Sequence, residues 1–297
     1  MPKLAVCLVS GGMDSVATLV RVLEEGYYVV SLTFDYGQKH GVEVEVFKQR
    51  TLLAIKHFRD YRERYIKHVV VNLRCDDMPL YAYLRKSVLG EVSEDAVRES
   101  MRKATDELEY YYPFRNLLFT TLAGIVAEYF SVVFCDSDTK FKDLSCDEAL
   151  IVLGLHKHVT YANYWDTVPE FVDAVNALLK VRDKYNKIPK KVSLYAPFLH
   201  ATKADIVKYL VSKSFPLDDV WTCYSPVYRN GQYHSCKQCQ SCVERAELVE
   251  KAVKECGILV NNVVLERFKY PSFEFESQHI LQTGEVSKDE ERKDSQT

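Results

Sequence analysis

The sequence predicts an α/β fold, a mainly parallel sheet with flanking helices, followed by a small zinc-binding subdomain near the C-terminal end. Three observations carry that expectation. Short, wholly apolar runs, of which Leu4 to Val9 is the first, have the pattern of strands buried on both faces. They alternate with segments whose apolar residues recur at helical spacing, the arrangement that yields a parallel sheet. Finally, four of the nine cysteines crowd between Cys223 and Cys242.

The first strand runs through SGGMDS into a helix in which Val16, Leu19, Val20 and Leu23 recur until Gly26. A helix start carries unpaired N–H groups and partial positive charge, and glycines let an anion approach the backbone. The same residues also describe a tight turn capped by Asp14 or Ser15. YYVVSLTF is the second strand, VEVEVFKQRTLLAIKHF a helix, and YIKHVVVNL a third strand ending near Leu73. In such sheets ligands bind beyond the carboxyl ends of the strands, where SGGMDS and FDYGQKHG both lie.

Residues 74–112 break the alternation. They are expected to be an excursion, partly helical around EDAVRESMRKATDEL, that forms a flap over the site. FRNLLFTTLAGIVAEYF returns to a buried helix, and residues 131–147 hold a VVF run and a polar stretch without assignment. EALIVLGL is a central strand, HKHVTYANYWDTVPEFVDAVNALLKV a loop and helix, KVSLYAPFL a strand and TKADIVKYLVSKSF a helix. After the cysteines comes CVERAELVEKAVKECG, read as the last helix. Past about Glu276 the chain turns polar and charged, a composition that favours disorder. The expected division is 1–215 for the α/β domain, 216–257 for the zinc-binding helical region and 258–297 for a partly disordered tail.

Hydrophobic residues make up 47% and charged residues 27% of the 297, as in ordinary soluble proteins. The net charge of −3 provides no positive field for nucleic acid, so no direct nucleic-acid binding is expected. No apolar stretch approaches the length of a membrane span, and the N-terminus has neither signal nor transit-peptide character. The expected compartment is the cytoplasm, where thiols stay reduced.

The cluster reads C-x12-C-x2-C-x2-C. Thiolates of Cys223, Cys236, Cys239 and Cys242 at this spacing close a tetrahedral shell around Zn2+, and four protein ligands make the site structural. His234 is a rival ligand only two residues before Cys236. Cys7, Cys75, Cys135, Cys146 and Cys256 are scattered and read as small buried or idle thiols. Asp35 follows Gly12 by 23 residues at a strand end, the place either of a nucleotide-binding acid or of a turn former. Arg115 and Asn116 open an apolar helix, as phosphate contact and cap or as a plain helix start. Lys203 stands in the first turn of a helix, where a cation opposes the dipole; it reads as a lysine facing a phosphate or as a solvated surface lysine. His156 and His158 flank a strand end as a metal pair or a polar pocket wall.

Taken in order, LVSGGMDS, TFDYGQKH, PFRNLLF, PEFVDAVN, LYAPFLHATKADIV and WTCY with C-x2-C-x2-C and ERAE resemble one family over roughly residues 4 to 255. That is the 7-cyano-7-deazaguanine synthase family (QueC) of the N-type ATP pyrophosphatases, whose loop motif is SGGxDS. The resemblance implies a Rossmann-like domain of the adenine nucleotide alpha hydrolase type. It implies activation of 7-carboxy-7-deazaguanine by ATP, attack of ammonia to give an amide, and a second activation that dehydrates the amide to the nitrile. Ser10, Gly11, Gly12, Asp14 and Ser15 would hold the pyrophosphate part of ATP and Mg2+. Lys203 would neutralise charge, Arg115 and Asn116 would orient the triphosphate, and Asp35 would contact the adenosine. Asp14, Lys203 and Arg115 would carry catalysis by positioning and electrostatics. A homodimer is expected.

The substrate half departs from the family pattern. Where a YPDCRPEF-like segment is usual, this chain has YWDTVPEF, so Asp166 is kept and Val168 replaces an Arg; GLHKH replaces a GVN segment. Asp166 and Trp165 would then meet the deazapurine, with His156 and His158 near its carboxylate. Three rivals stay open: transfer of the acyl group to a protein amine, a tRNA-modifying PP-loop enzyme, and an idle zinc-and-nucleotide scaffold.

Overall fold

The computed structural model describes residues 3–37, 41–75, 78–105, 112–136, 148–157, 164–185 and 191–274. In chain order the first unit is β1 (Leu4–Leu8), α1 (Met13–Glu24) and β2 (Tyr28–Asp35). A helical run follows as α2 (Gly41–Val46), a π-helical turn over Phe47–Thr51, and α3 (Leu52–His57). Next come α4 (Arg59–Arg64), β3 (Tyr65–Asn72), the short strands β4 (Arg74–Cys75) and β5 (Met78–Pro79), α5 (Leu80–Leu89) and α6 (Glu94–Thr105). The second half holds α7 (Arg115–Asp136), β6 (Glu148–Val152), α8 (Pro169–Tyr185), β7 (Lys191–Tyr195) and α9 (Lys203–Ser212). It closes with β8 (Val227–Arg229), β9 (Gln232–His234), α10 (Gln240–Glu255), α11 (Asn262–Lys269) and β10 (Ser272–Glu274).

Five strands pair in parallel in the order β3-β2-β1-β6-β7, as the alternating pattern predicts. Every residue of β1 is buried, which a strand covered on both faces requires. Successive side chains point to opposite faces. Ala5, Cys7 and Val9 join Val16, Leu19 and Val20 of α1 with Ile206 and Leu210 of α9. Leu4, Val6 and Leu8 join Ala123 and Ala127 of α7 with Phe171 and Val172 of α8. From β1 the chain builds outward through β2 and β3, then crosses to β6 and β7 on the other side. The order therefore reverses between β1 and β6, and a crevice opens there at the strands' carboxyl ends.

Several details differ from the sequence reading. Helix α1 begins at Met13, with Gly12 as N-cap and no side-chain cap, so neither Asp14 nor Ser15 fills that role. The helix expected over VEVEVFKQRTLLAIKHF is interrupted by the π turn, at which Phe47 is fully buried and packs on the His68 ring. The excursion starts on the end of β2: Pro79 packs on Gly37, and Tyr81 on Tyr36 and Tyr112. Helix α10 is not the last. Residues 258–274, expected in the tail, include α11 and β10, and β10 pairs antiparallel with β9, which pairs with β8. The polar stretch 137–147 and the segment past Glu276 lie outside the described residues.

Candidate active site and cysteine cluster

The turn between β1 and α1 is shaped by Gly11, whose φ of +100° suits only glycine. A Cβ at Gly11 would also lie 2.3 Å from the Glu43 carbonyl oxygen, so α2 packs directly on the turn. The Ser15 hydroxyl sits inside the loop. It accepts from the N–H of Ser10 at 3.2 Å and of Gly11 at 3.3 Å, and donates to the Gly12 carbonyl at 2.9 Å. Ser10 Oγ accepts from the Gly12 N–H at 3.2 Å. From the far side of the crevice Gly154, just past β6, comes so close that a Cβ there would be 3.1 Å from Ser15 Cα. These contacts hold the loop as a fixed concave turn at the start of α1, the geometry that receives an anion.

Charges of both signs converge on this turn. His156 Nε2 lies 3.5 Å from Asp14 Oδ2; desolvation opposes the charged imidazole, but the Asp14 bond and charge outweigh it and raise its pKa. Lys203 Nζ donates to Glu244 Oε2 at 2.7 Å. Burial acts against its ammonium, and the carboxylates of Asp14 and Glu244 more than offset that. Glu43 also bonds to the Ser10 hydroxyl. Desolvation, then the charge of Asp14, push its carboxyl up to about 8. Arg115 donates to the Tyr36 hydroxyl and is held charged, against desolvation, by Tyr36 and Asp166.

The structure thus brings Ser10, Gly11, Gly12, Asp14, Ser15, His156 and Lys203 together, with Arg115 reaching them through Tyr36 and Glu43. Glu43, Tyr36, Tyr224 and Glu244 were not singled out from sequence, although all four fall in stretches already quoted. Nothing local marks them, because their partners lie on other elements.

Other expected site residues are placed differently. The Asp35 carboxylate accepts from the Gly37 N–H at 3.1 Å and faces Arg74 at 3.8 Å, which makes it a turn former at the end of β2. Asp166 is only 3% exposed and caps α7: its Oδ2 accepts from the Asn116 N–H at 3.1 Å, and its carbonyl accepts from Asn116 Nδ2 at 3.0 Å. Asn116 is the other half of that cap. Trp165 is 44% exposed and meets Phe114, 60% exposed, edge to face at 5.3 Å. Val168 packs against the apolar cluster between the sheet and α7 and α8. His156 meets Asp14 of the loop between β1 and α1, and His158 lies outside the described residues.

The four cysteines meet as their spacing predicts. Their sulfurs lie within 4.8 Å of one another, with Cys236 to Cys242 and Cys239 to Cys223 both at 4.0 Å. A tetrahedral zinc with Zn–S of about 2.3 Å needs sulfurs roughly 3.8 Å apart, so the donor set fits that ion. The long loop between Cys223 and Cys236 is a hairpin, β8 and β9, turned at Asn230 and Gly231, both with positive φ. The Asn-Gly pair is the local signal that could have foretold it. His234 lies in β9, outside the thiol group. The Cys223 thiol is pulled below its ordinary pKa, chiefly by a bond from Cys242, whose own pKa rises in consequence. Beside the cluster Arg245, 2% exposed, donates to the carbonyls of Leu217, Val220 and Phe268.

A family profile described as queuosine biosynthesis protein QueC matches residues 4–253. The 7-cyano-7-deazaguanine synthase of Thermoplasma volcanium is 29% identical over 92% of this chain and 94% of its own. That of Acetivibrio thermocellus is 30% identical over 89% of this chain and 98% of its own. Among solved structures, that of NMN synthetase from Francisella tularensis aligns at 12% identity with a TM-score of 0.39. It covers 90% of this chain and 82% of that one, a likeness too slight to argue from.

Proposed function

This chain belongs to the family of queuosine biosynthesis protein QueC, and from that premise we propose that it is an ATP-dependent carbon–nitrogen ligase making 7-cyano-7-deazaguanine. Its substrates are 7-carboxy-7-deazaguanine, ammonia and ATP. The observation that carries the reading is the loop Ser10–Ser15 with Lys203, His156 and Arg115 gathered around it at the carboxyl end of β1. A substrate carboxylate oxygen attacks the α-phosphorus of ATP, an acyl–oxygen–phosphorus bond forms, and pyrophosphate leaves. Negative charge grows on the leaving group, where the N–H groups of the first turn of α1 and Lys203 meet it. Ammonia then attacks the acyl carbon, AMP departs and the amide forms; activation of the amide oxygen by a second ATP and loss of AMP give the nitrile. Mg2+ neutralises phosphate charge when bound, and Asp14 is the carboxylate that would hold it beside phosphate oxygens.

The deazapurine is assigned to the start of α7, where Phe114 and Trp165 offer aromatic surface and Arg115 a cation for the substrate carboxylate. Asp166 contributes there by capping α7, with Asn116, and so fixing Arg115. Val168 sits in apolar packing where the family pattern has an Arg, and this altered wall supports a second reading in which the activated acyl group passes to another amine. The four-cysteine site holds Zn2+ as a structural ion and keeps residues 216–274 folded against the nucleotide-binding unit of 1–215 and its excursion 74–112.

Reduced thiols at that site suit the cytoplasm. Among the described residues no helix is long and apolar enough to cross a membrane. The exposed stripes Ile125, Tyr129 and Val132 on α7 and Leu178, Val181 and Tyr185 on α8 support a homodimer. The deciding experiment incubates the protein with ATP, Mg2+, 7-carboxy-7-deazaguanine and ammonium and follows products by mass. Nitrile with AMP is the expected product, preceded by amide when ATP is limiting. Unconsumed acid and ATP would refute the assignment, and consumption of both only when another amine is added would select the second reading.

A further inference from the structure

Lys203 opens α9, where the helix dipole disfavours a cation. Its backbone is pinned all the same. Thr202 accepts from the Asp205 N–H, while the Asp205 carboxylate accepts from the Thr202 N–H at 2.8 Å and hydroxyl at 2.7 Å. What remains to be fixed is the four-carbon stem, which is free to sample many rotamers unless its ammonium is held. That stem ends on Glu244, at 2.7 Å.

Glu244 rides on a helix start tied down on every side. Cys239 is the N-cap of α10, and Cys242 joins the thiol cluster. The Ser241 hydroxyl donates to the Thr222 carbonyl at 2.7 Å, and Arg245 binds three more carbonyls. Further along α10, Glu250 pairs with Lys269 and Glu255 with the exposed Lys208. The partner of Glu244 is instead the lysine that also faces Asp14 of the loop. An ammonium has three donors, so Lys203 can keep Glu244 and still reach a phosphate oxygen.

We propose that Glu244 is a positioning residue: carried by the cysteine-clamped start of α10, it aims the Lys203 ammonium at the phosphate loop, so the C-terminal module sets the affinity for the triphosphate. The inference rests on the reading of Lys203 and the loop as the phosphate site. Its test is a double-mutant cycle on the full chain, read as Kd for a non-hydrolysable ATP analogue with Mg2+, which stays measurable when turnover is lost.

Glu244→Ala should weaken the analogue about tenfold in the otherwise native protein, and less than about twofold in a Lys203→Met background. Glu244→Gln, which keeps an acceptor without the charge, should recover part of the loss. Metal content and melting temperature should match the native protein in all of these variants. Native affinity in Glu244→Ala, an equal loss in both backgrounds, or loss of metal in Glu244→Ala would each overturn the proposal. Native affinity in Lys203→Met would bring down the phosphate-site reading as well. A weakened Lys203→Met with an additive Glu244→Ala would sink only the role given to Glu244.

Discussion

The phosphate-type loop and the cysteine cluster stand at the starts of α1 and α10 and are built on opposite rules. At the loop the helix has no side-chain cap, and Asp14, Glu43, His156, Lys203 and Arg115 crowd together with raised pKa values at Glu43 and His156. In the cluster, four thiols face one another and the neighbouring buried guanidinium is met by backbone carbonyls. The first arrangement holds charge in a partly desolvated state, which a charged ligand would relieve under the proposed function. The second offers four thiols to one ion, and a metal there would complete the fold. Perturbation at the loop should therefore cost turnover and little stability; perturbation at the cluster should cost stability first.

The largest effect is expected from Cys239→Ala. Metal per chain should fall from about one equivalent to near zero, and the melting temperature by more than about 10 °C, as folding energy of the C-terminal module is lost with the ion. A folded, metal-free and active protein would erase the contrast. Next come Asp14→Ala and Lys203→Ala, each expected to lower kcat roughly 10²- to 10³-fold while the melting temperature moves by no more than about 3 °C. Unchanged turnover in both would place the active site elsewhere.

Arg245→Met sharpens the comparison from the stability side. It takes the guanidinium from the Val220 and Phe268 carbonyls and leaves the Leu217 carbonyl with the Val220 N–H alone, and a loss of about 3 kcal/mol is expected in denaturant unfolding. Glu43 gives a pH signature at the loop. Its folded pKa, about 8, lies above the usual 4.5, so the folded protein holds this proton more tightly than the unfolded chain. That stabilisation is complete below about pH 4.5 and is lost as pH rises through 8. Glu43→Gln, always neutral, should therefore melt a few degrees higher than the native, ligand-free protein at pH 9 and show little difference at pH 5. The smallest effect belongs to His156→Asn, about threefold in kcat/KM for ATP, because Asp14 keeps Lys203 close by.

Much of this was legible in the sequence, and the reason is locality. A continuous apolar run, a helical repeat, a glycine turn and a C-x2-C knuckle each report backbone geometry within a few residues, so the parallel sheet, the loop at its centre and the thiol cluster could be read directly. The Asn230-Gly231 turn is equally local and could have announced the hairpin between Cys223 and Cys236, but it was not read.

What the tertiary structure decided are pairings across elements. Lys203 finds Glu244 41 residues on, and Asn116 finds Asp166 50 residues on. Glu43 meets the loop only because α2 packs its backbone against Gly11. Asp166, as suitable from sequence for a ring N–H as for a cap, became the cap because α8 follows β6 on the face that α7 covers. Residue type and spacing state what a side chain is able to bind. The order of strands and the layer on which each helix lands decide which partner it meets, and no local pattern encodes that order.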